Sequence, residues 1–191
     1  TQSALLEAME EGHVTIEGET LSLPDPFVVV ATQNSIEMDG TFDLPKAQLD
    51  RFQLKITMGP PGRDAEREIL DRSSTRGSLS PETVTPVFDS EEIVDLREQV
   101  RSVHVAEPIK EYILDIVTAV REDEHVATGA SPRASIAFLR AGQARAGIHG
   151  RDYVIPDDVQ TEAPSVWSHR IDADRAGSAV VETALEAVPI E

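Results

Sequence analysis

The stretch FVVVATQN, Phe27–Asn34, runs through five apolar residues and then stops on Thr32, Gln33 and Asn34. Consecutive aromatic and β-branched residues without polar alternation are the pattern of a strand covered on both faces, and so of a parallel sheet in an α/β layer. Pro24 and Pro26 bound the stretch upstream. Sheets of this kind bind their ligands beyond the carboxyl ends of the strands, and Asn34 falls at that end. Taken alone, Asn34 reads as a turn residue after a strand.

Outward from this stretch the pattern continues on both sides. Upstream, TQSALLEAMEEG places Ala4, Leu5, Ala8 and Met9 on one helical face and Gly12 at a C′ stop. The chain thus opens at or inside a helix, which reads as a piece of something longer. HVTIEGETLSL then alternates apolar and polar residues on either side of Glu17-Gly18-Glu19, the pattern of a β-hairpin. Downstream, SIEMDGTFDLPKAQLDRFQLKI predicts a loop through Gly40 and a short helix with Pro45 near its start, ending at Asp50-Arg51. A second strand over Gln53–Ile56 follows directly.

After Gly59-Pro-Pro-Gly62 the sequence becomes helical almost throughout. A helix over about Asp64–Arg72 leads into a Ser/Thr/Pro-rich surface loop. Ser90 with Glu92 and the Ile93–Leu96–Val100 face predict another helix. Pro108 opens the next, with Tyr112, Ile113, Ile116, Val117 and Val120 facing inward. Pro132 opens a third carrying Ile136, Leu139, Ala144 and Ile148, Pro156 opens a fourth, and Ala176–Val188 gives a last amphipathic stretch. Trp167 reads as core and Arg170 as a candidate interface residue. The expected division is residues 1–62 as part of an α/β unit and 63–191 as an all-α domain.

In the third helix Ser131 reads as N-cap and Pro132 as the first helical residue, so Arg133 lies in the first turn. A cation is disfavoured at that end of the helix dipole unless an anion sits there. A helix N-terminus together with an arginine forms a phosphate site. The bland alternative is an arginine turned to a local carboxylate. For Arg51, the bland alternative is a cation complementing a helix C-terminus.

Composition bounds the partners. Against 17 Lys and Arg stand 35 Asp and Glu, a net charge of −18, with 4% aromatic residues and 40% hydrophobic residues. Only Lys46, Lys55 and Lys110 are lysines. Such a charge repels nucleic acid and anionic membrane surfaces, so no nucleic-acid partner and no membrane insertion are expected. Acidic, lysine-poor composition fits high salt, where screening makes self-repulsion tolerable. The absence of cysteine excludes disulfides and thiolate chemistry. Five histidines at 13, 104, 125, 149 and 169 show no ligand spacing, so no protein-built metal site is proposed. A cytoplasmic setting is the default expectation.

Through TQSALLEAMEEGHVTIEGETLSLPDPFVVVATQN, then GTFDLPKAQLDRF, and again through TGASPRASIAFLRAGQARAGIHGRDYVIPDDV, the chain resembles the AAA+ ATPases of the MoxR group. The departure at Ser35, where a proline is common, removes some stiffness from that loop. The resemblance implies the C-terminal part of a P-loop AAA+ α/β core, with a hairpin insertion, followed by a helical lid. It also implies that Asn34 is sensor 1, Arg51 the arginine finger and Arg133 sensor 2. ATP and Mg2+ are the implied cofactors. A homo-oligomeric ring, as in hexamers, acting on proteins that include von Willebrand A-type domains is the implied assembly. The chemistry of these side chains agrees with such roles: a carboxamide both donates and accepts, and a guanidinium is a permanent planar cation suited to spread phosphoryl charge. With the composition, the resemblance suggests a halophilic archaeon as source. The magnesium-chelatase subunits are a weaker resemblance.

No G-x-x-x-x-G-K-[ST] loop occurs, and no apolar strand ends in an Asp-Glu pair to hold Mg2+. The 191 residues alone are therefore expected to be inactive. Two classes of function stay open: part of a ring ATPase that remodels proteins, and a non-catalytic acidic adaptor derived from the same fold. A DNA helicase is disfavoured by the charge.

Overall fold

The computed structural model describes residues 2–33, 45–76 and 84–190; Asn34 and the loop through Gly40 lie outside them. Helix α1, Gln2–Glu11, ends where Gly12 takes a left-handed φ of +66°. Strands β1, His13–Ile16, and β2, Glu19–Ser22, pair antiparallel, with His13 opposite Ser22 and Ile16 opposite Glu19. The two-residue turn places Glu17 at φ 52° and Gly18 at φ 86°, the double left-handed turn that matches strand twist. The base closes through Leu23 N–H donating to Gly12 O at 2.8 Å.

Phe27–Ala31 and Gln53–Ile56, expected as strands of a parallel sheet, form no strand. Their apolar side chains stand in solvent: Val30 is 84% exposed and Met58, just beyond, 90%. The ladder of a strand comes from its neighbour. Among the described residues the sheets are two antiparallel pairs, β1–β2 and the small pair described below, and neither offers an edge to these stretches. Lys55 N–H turns instead to Ser165 O at 2.8 Å. The short helix α2, Lys46–Leu49, forms as expected after Pro45 and runs into a turn at Asp50-Arg51.

Helix α3, Arg63–Arg76, extends beyond its predicted end. Helix α4, Ser90–Ser102, is capped by Asp89 where Ser90 was expected to lead. Asp89 accepts from Glu92 N–H at 2.9 Å and its own N–H donates to the Glu92 carboxylate at 2.8 Å, the reciprocal arrangement of a capping box. The fold centre is built by α5, Glu107–Glu122, α6, Pro132–Ile148, α7, Pro156–Trp167, and α8, Gly177–Ala187. The strands β3, Val126–Thr128, and β4, Asp172–Ala173, pair beside them.

The inward residues of α5 are those predicted: Tyr112, Ile113, Ile116, Val117 and Val120 are buried. In α6 the expectation fails in part. Ile136 and Ile148 are exposed, and the buried stripe is Ala134, Ala137, Phe138, Ala141 and Ala146. Small side chains let α6 lie close against its neighbours, so the tight face is the alanine face. Trp167 is core as expected, its ring centroid 4.3 Å from that of Phe138 and its indole N–H donating to Ala134 O at 3.3 Å. A buried carboxylate, Asp158, organises the start of α7. It accepts from Arg151 Nη1 and Nη2 at 2.6 and 2.5 Å and from Ile155 N–H at 2.9 Å. The N-terminal part joins α4 through a two-pronged Arg97–Asp25 pair at 2.6 and 3.2 Å.

Candidate functional site

Four separate pieces of the chain meet at the N-terminus of α6. The last turn of α1 supplies Glu10, the turn after α2 supplies Asp50 and Arg51, α6 supplies Ser131 and Arg133, and the segment after α7 supplies Arg170. Ser131 is the N-cap: its hydroxyl accepts from Ala134 N–H at 3.2 Å and donates to Asp50 at 3.1 Å. Asp50 therefore places its negative charge over the positive end of the α6 dipole.

Glu10 pairs with both arginines that the sequence singled out. It contacts Arg51 directly and accepts from Arg133 Nη2 at 2.9 Å. Arg133 Nη1 also lies 4.0 Å from Asp50, and Arg170 Nε lies 3.3 Å from the same carboxylate. Three guanidinium groups thus share two carboxylates, leaving one positive charge in excess within a chain of net charge −18. The Arg51 side chain is 23% exposed and that of Arg133 50%, so both reach solvent. Arg51 buries Nε and Nη1 without a hydrogen bond, although Nη1 is the atom that meets Glu10 as an ion pair.

Arg170 is the buried member, with 2% of its side chain exposed. Burial pushes its pKa below the usual value, Asp50 pulls it back up, and Arg133 adds to the depression. Beside it, burial lowers the His169 pKa, which the Phe52 carbonyl opposes. His169 is therefore held toward its neutral form, its Nε2 3.0 Å from Phe52 O.

The structure brings Arg51 and Arg133 together; Asn34 lies outside the described residues. Arg133 sits in the first turn of α6 as predicted, and it takes the carboxylate partner of the bland alternative. Arg51 follows a helix of only four residues and pairs with Glu10. Sequence reasoning missed Glu10 and Asp50. The signal for Asp50 was its place beside Arg51 in LDRF; for Glu10 there was none beyond its helix. Among the described residues no group of His, Asp and Glu side chains is disposed to hold a metal ion. No described helix is long and apolar enough to cross a membrane.

Two regions of the chain match known families. Residues 1–54 match the model of the ATPase family associated with various cellular activities, and residues 118–188 match that of the AAA lid domain. The crystal structure of a candidate ATPase from Cytophaga hutchinsonii superposes with a TM-score of 0.90 at 34% identity, covering 100% of this chain and 62% of that one. This is the AAA+ ATPase fold with a C-terminal helical lid. Within the AAA+ proteins, the chain is similar to those of the MoxR type. The chaperone MoxR1 of Mycobacterium tuberculosis is 41% identical over 179 residues, 89% of this chain and 46% of that protein. The uncharacterised protein YeaC of Bacillus subtilis is 50% identical over 171 residues, 90% of this chain and 53% of that protein. The AAA+ chain thus spans about half the length of the curated relatives it matches. The arginine cluster lies where its two matched regions meet: Glu10, Asp50 and Arg51 belong to the first, Ser131, Arg133 and Arg170 to the second.

Proposed function

We propose that this chain is part of a MoxR-type AAA+ ATPase that assembles as a ring, taken to be a hexamer, and couples ATP hydrolysis to the remodelling or maturation of partner proteins. The observation that carries the reading is the local excess of positive charge at the N-terminus of α6, in a chain otherwise strongly acidic. Two solvent-reaching guanidinium groups offer donors to phosphate oxygens. In this reading residues 1–62 close the α/β core and 63–191 form the lid. Arg51 is the arginine finger, Arg133 is sensor 2, and Asn34 is sensor 1, orienting the attacking water. The residues present fit the phosphates of ATP; they offer Mg2+ nothing, since Glu10 and Asp50 are already paired with arginines. Bound ATP supplies the phosphoryl group, and a phosphate loop that these 191 residues lack supplies its cradle. Partners with von Willebrand A-type domains and a cytoplasmic setting belong to the same reading.

Because Glu10 answers both Arg51 and Arg133, the two arginines of one subunit face one site. A finger acts on the neighbouring subunit's nucleotide, so Arg133 is assigned there with it. The test is a mixing experiment on full-length protein. Arg51→Ala should lower kcat by about 10³ or more, with ATP binding nearly intact. Mixed with a phosphate-loop Lys→Ala variant, both Arg51→Ala and Arg133→Ala should regain part of the activity, while Asn34→Ala should regain none. Parental hydrolysis by Arg51→Ala removes the finger assignment; no rescue of Arg133→Ala puts Arg133 in its own subunit's site.

The adaptor reading is favoured by the missing phosphate loop and by the carboxylates that already answer the arginines. A phosphate loop encoded upstream of Thr1 supports the ATPase; a start codon at that point supports the adaptor. The 191 residues alone should bind ATP and Mg2+ no tighter than roughly millimolar in either case.

A further inference from the structure

We propose that Arg170 is a positioning residue for Arg51: one buried guanidinium in the lid fixes both chain neighbours of the finger. The inference rests on the assignment of Arg51 above. Arg170 follows α7, its own N–H donating to Trp167 O at 2.9 Å. Its Nη1 donates to Val166 O at 3.0 Å, which anchors the group to the helix it follows. Its Nη2 donates to Phe52 O at 2.7 Å, and its Nε meets the Asp50 carboxylate at 3.3 Å as an ion pair without a hydrogen bond. Asp50 and Phe52 flank Arg51 in the chain, so a planar fork brackets the residue between them. Two further contacts tie the same turn to the same end of α7: His169 Nε2 to Phe52 O at 3.0 Å and Lys55 N–H to Ser165 O at 2.8 Å.

Burying a cation with a single carboxylate partner is unfavourable compared with an apolar side chain of similar volume. What the guanidinium adds is geometry: two hydrogen bonds and one ion pair from a single rigid plane, joining the lid to the turn that carries Arg51. When the lid moves as a body, the Asp50–Phe52 turn moves with it. Arg170 itself touches no substrate position, being enclosed, while Arg51 reaches solvent. Lysine carries its three donors on one nitrogen and does not span Val166 O, Phe52 O and the Asp50 carboxylate as the planar fork does.

The test uses full-length protein carrying Arg170→Met, which fills the volume without the donors, and Arg170→Lys as a second variant in case the first fails to fold. Amide hydrogen exchange is read at residues 51–55 and, as a reference, across α5. Steady-state kinetics are read alone and in rings mixed with a phosphate-loop Lys→Ala variant. Exchange at 51–55 should quicken tenfold or more with α5 unchanged. The kcat should fall at least tenfold, KM should stay within twofold, and the mixed rings should regain activity as they do for Arg51→Ala. That rescue separates positioning of a finger from general damage, which no partner subunit repairs. Unchanged exchange at 51–55 overturns the proposal whatever the activity. Faster exchange with parental kcat, or lost kcat without rescue in mixed rings, also overturns it. If the parental protein hydrolyses no ATP, the function reading fails, and the exchange result alone decides whether Arg170 sets the Arg51 turn.

Discussion

At the scale of single residues, the site is governed by how few carboxylates serve how many arginines. Glu10 is shared, and its charge is what a phosphate group must outcompete. Glu10→Gln removes that competitor while keeping the side-chain size. The cluster then holds two uncompensated positive charges in place of one. Tripolyphosphate titrated into the chain should bind about tenfold tighter than to the parental chain at low salt, and the difference should vanish near 1 M KCl. Equal affinities at low salt would show that the arginines are not presented to an anion. Arg51 and Arg133 were legible from the sequence because each carries a local sign: the Asp-Arg pair after a short helix, and the Ser-Pro-Arg start of a long one. Their partners were not. Glu10 and Arg133 are 123 positions apart, and Ser131 and Asp50 are 81 apart. No local pattern encodes a pairing that only the tertiary fold creates.

At the scale of elements, caps and prolines located the helices, and strands proved unreadable where their partner was wanting. α5 and α7 carry Pro108 and Pro156 in their first turns, where a missing N–H costs no helical hydrogen bond. Phe27–Ala31 carries every residue preference of a buried strand and still forms none, since its hydrogen bonds need a neighbouring strand. The α6 face was misassigned for a different reason: hydrophobicity favoured isoleucine, whereas close packing favoured alanine. Asp158 shows how an element start is fixed by charge. Burial is the largest single influence and pushes its carboxyl up. The Arg151 hydrogen bonds, the Ile155 amide and the charges of Arg151 and Arg145 outweigh it and hold the pKa below 3.8. A carboxyl depressed in the folded state stabilises it fully above its unfolded pKa, and that contribution disappears as pH falls through the folded value. Asp158→Asn keeps the volume and an acceptor for Ile155 N–H but loses the charge. Its melting temperature should lie roughly 5 °C or more below the parent at pH 7, and the two melting curves should converge as pH falls below about 4. Curves that stay parallel down to acid pH would show that Asp158 contributes shape alone.

At the scale of the molecule, two surfaces are out of balance. Apolar side chains at Val28, Val30, Ile56 and Met58 are exposed along the segments that sequence assigned to a sheet. That assignment was legible as a preference and not as a structure, because the remainder of such a sheet is not among the described residues. The second imbalance is charge, and it was legible in full from composition. A net charge of −18 over 191 residues includes only three lysines. Ion pairs absorb some arginines, but exposed carboxylates such as Glu111, Asp115, Glu182 and Glu186 face solvent on α5 and α8. Like charges repel within a Debye length of about 10 Å at 0.1 M salt, which shrinks to about 3 Å at 1 M. We therefore propose that the chain is adapted to high salt, as in a halophilic archaeon. Its melting temperature should rise by on the order of 10 °C between about 0.1 M and 2 M KCl. Salt also strengthens apolar burial, so the rise alone does not identify its cause. The variant Glu111→Gln, Asp115→Asn, Glu182→Gln, Glu186→Gln removes four exposed negative charges and leaves the core untouched. If repulsion is the cause, this variant should melt higher than the parent at 0.1 M and gain less from added KCl. An equal gain in both proteins would assign the effect to apolar burial, and a flat parental profile would remove the high-salt reading.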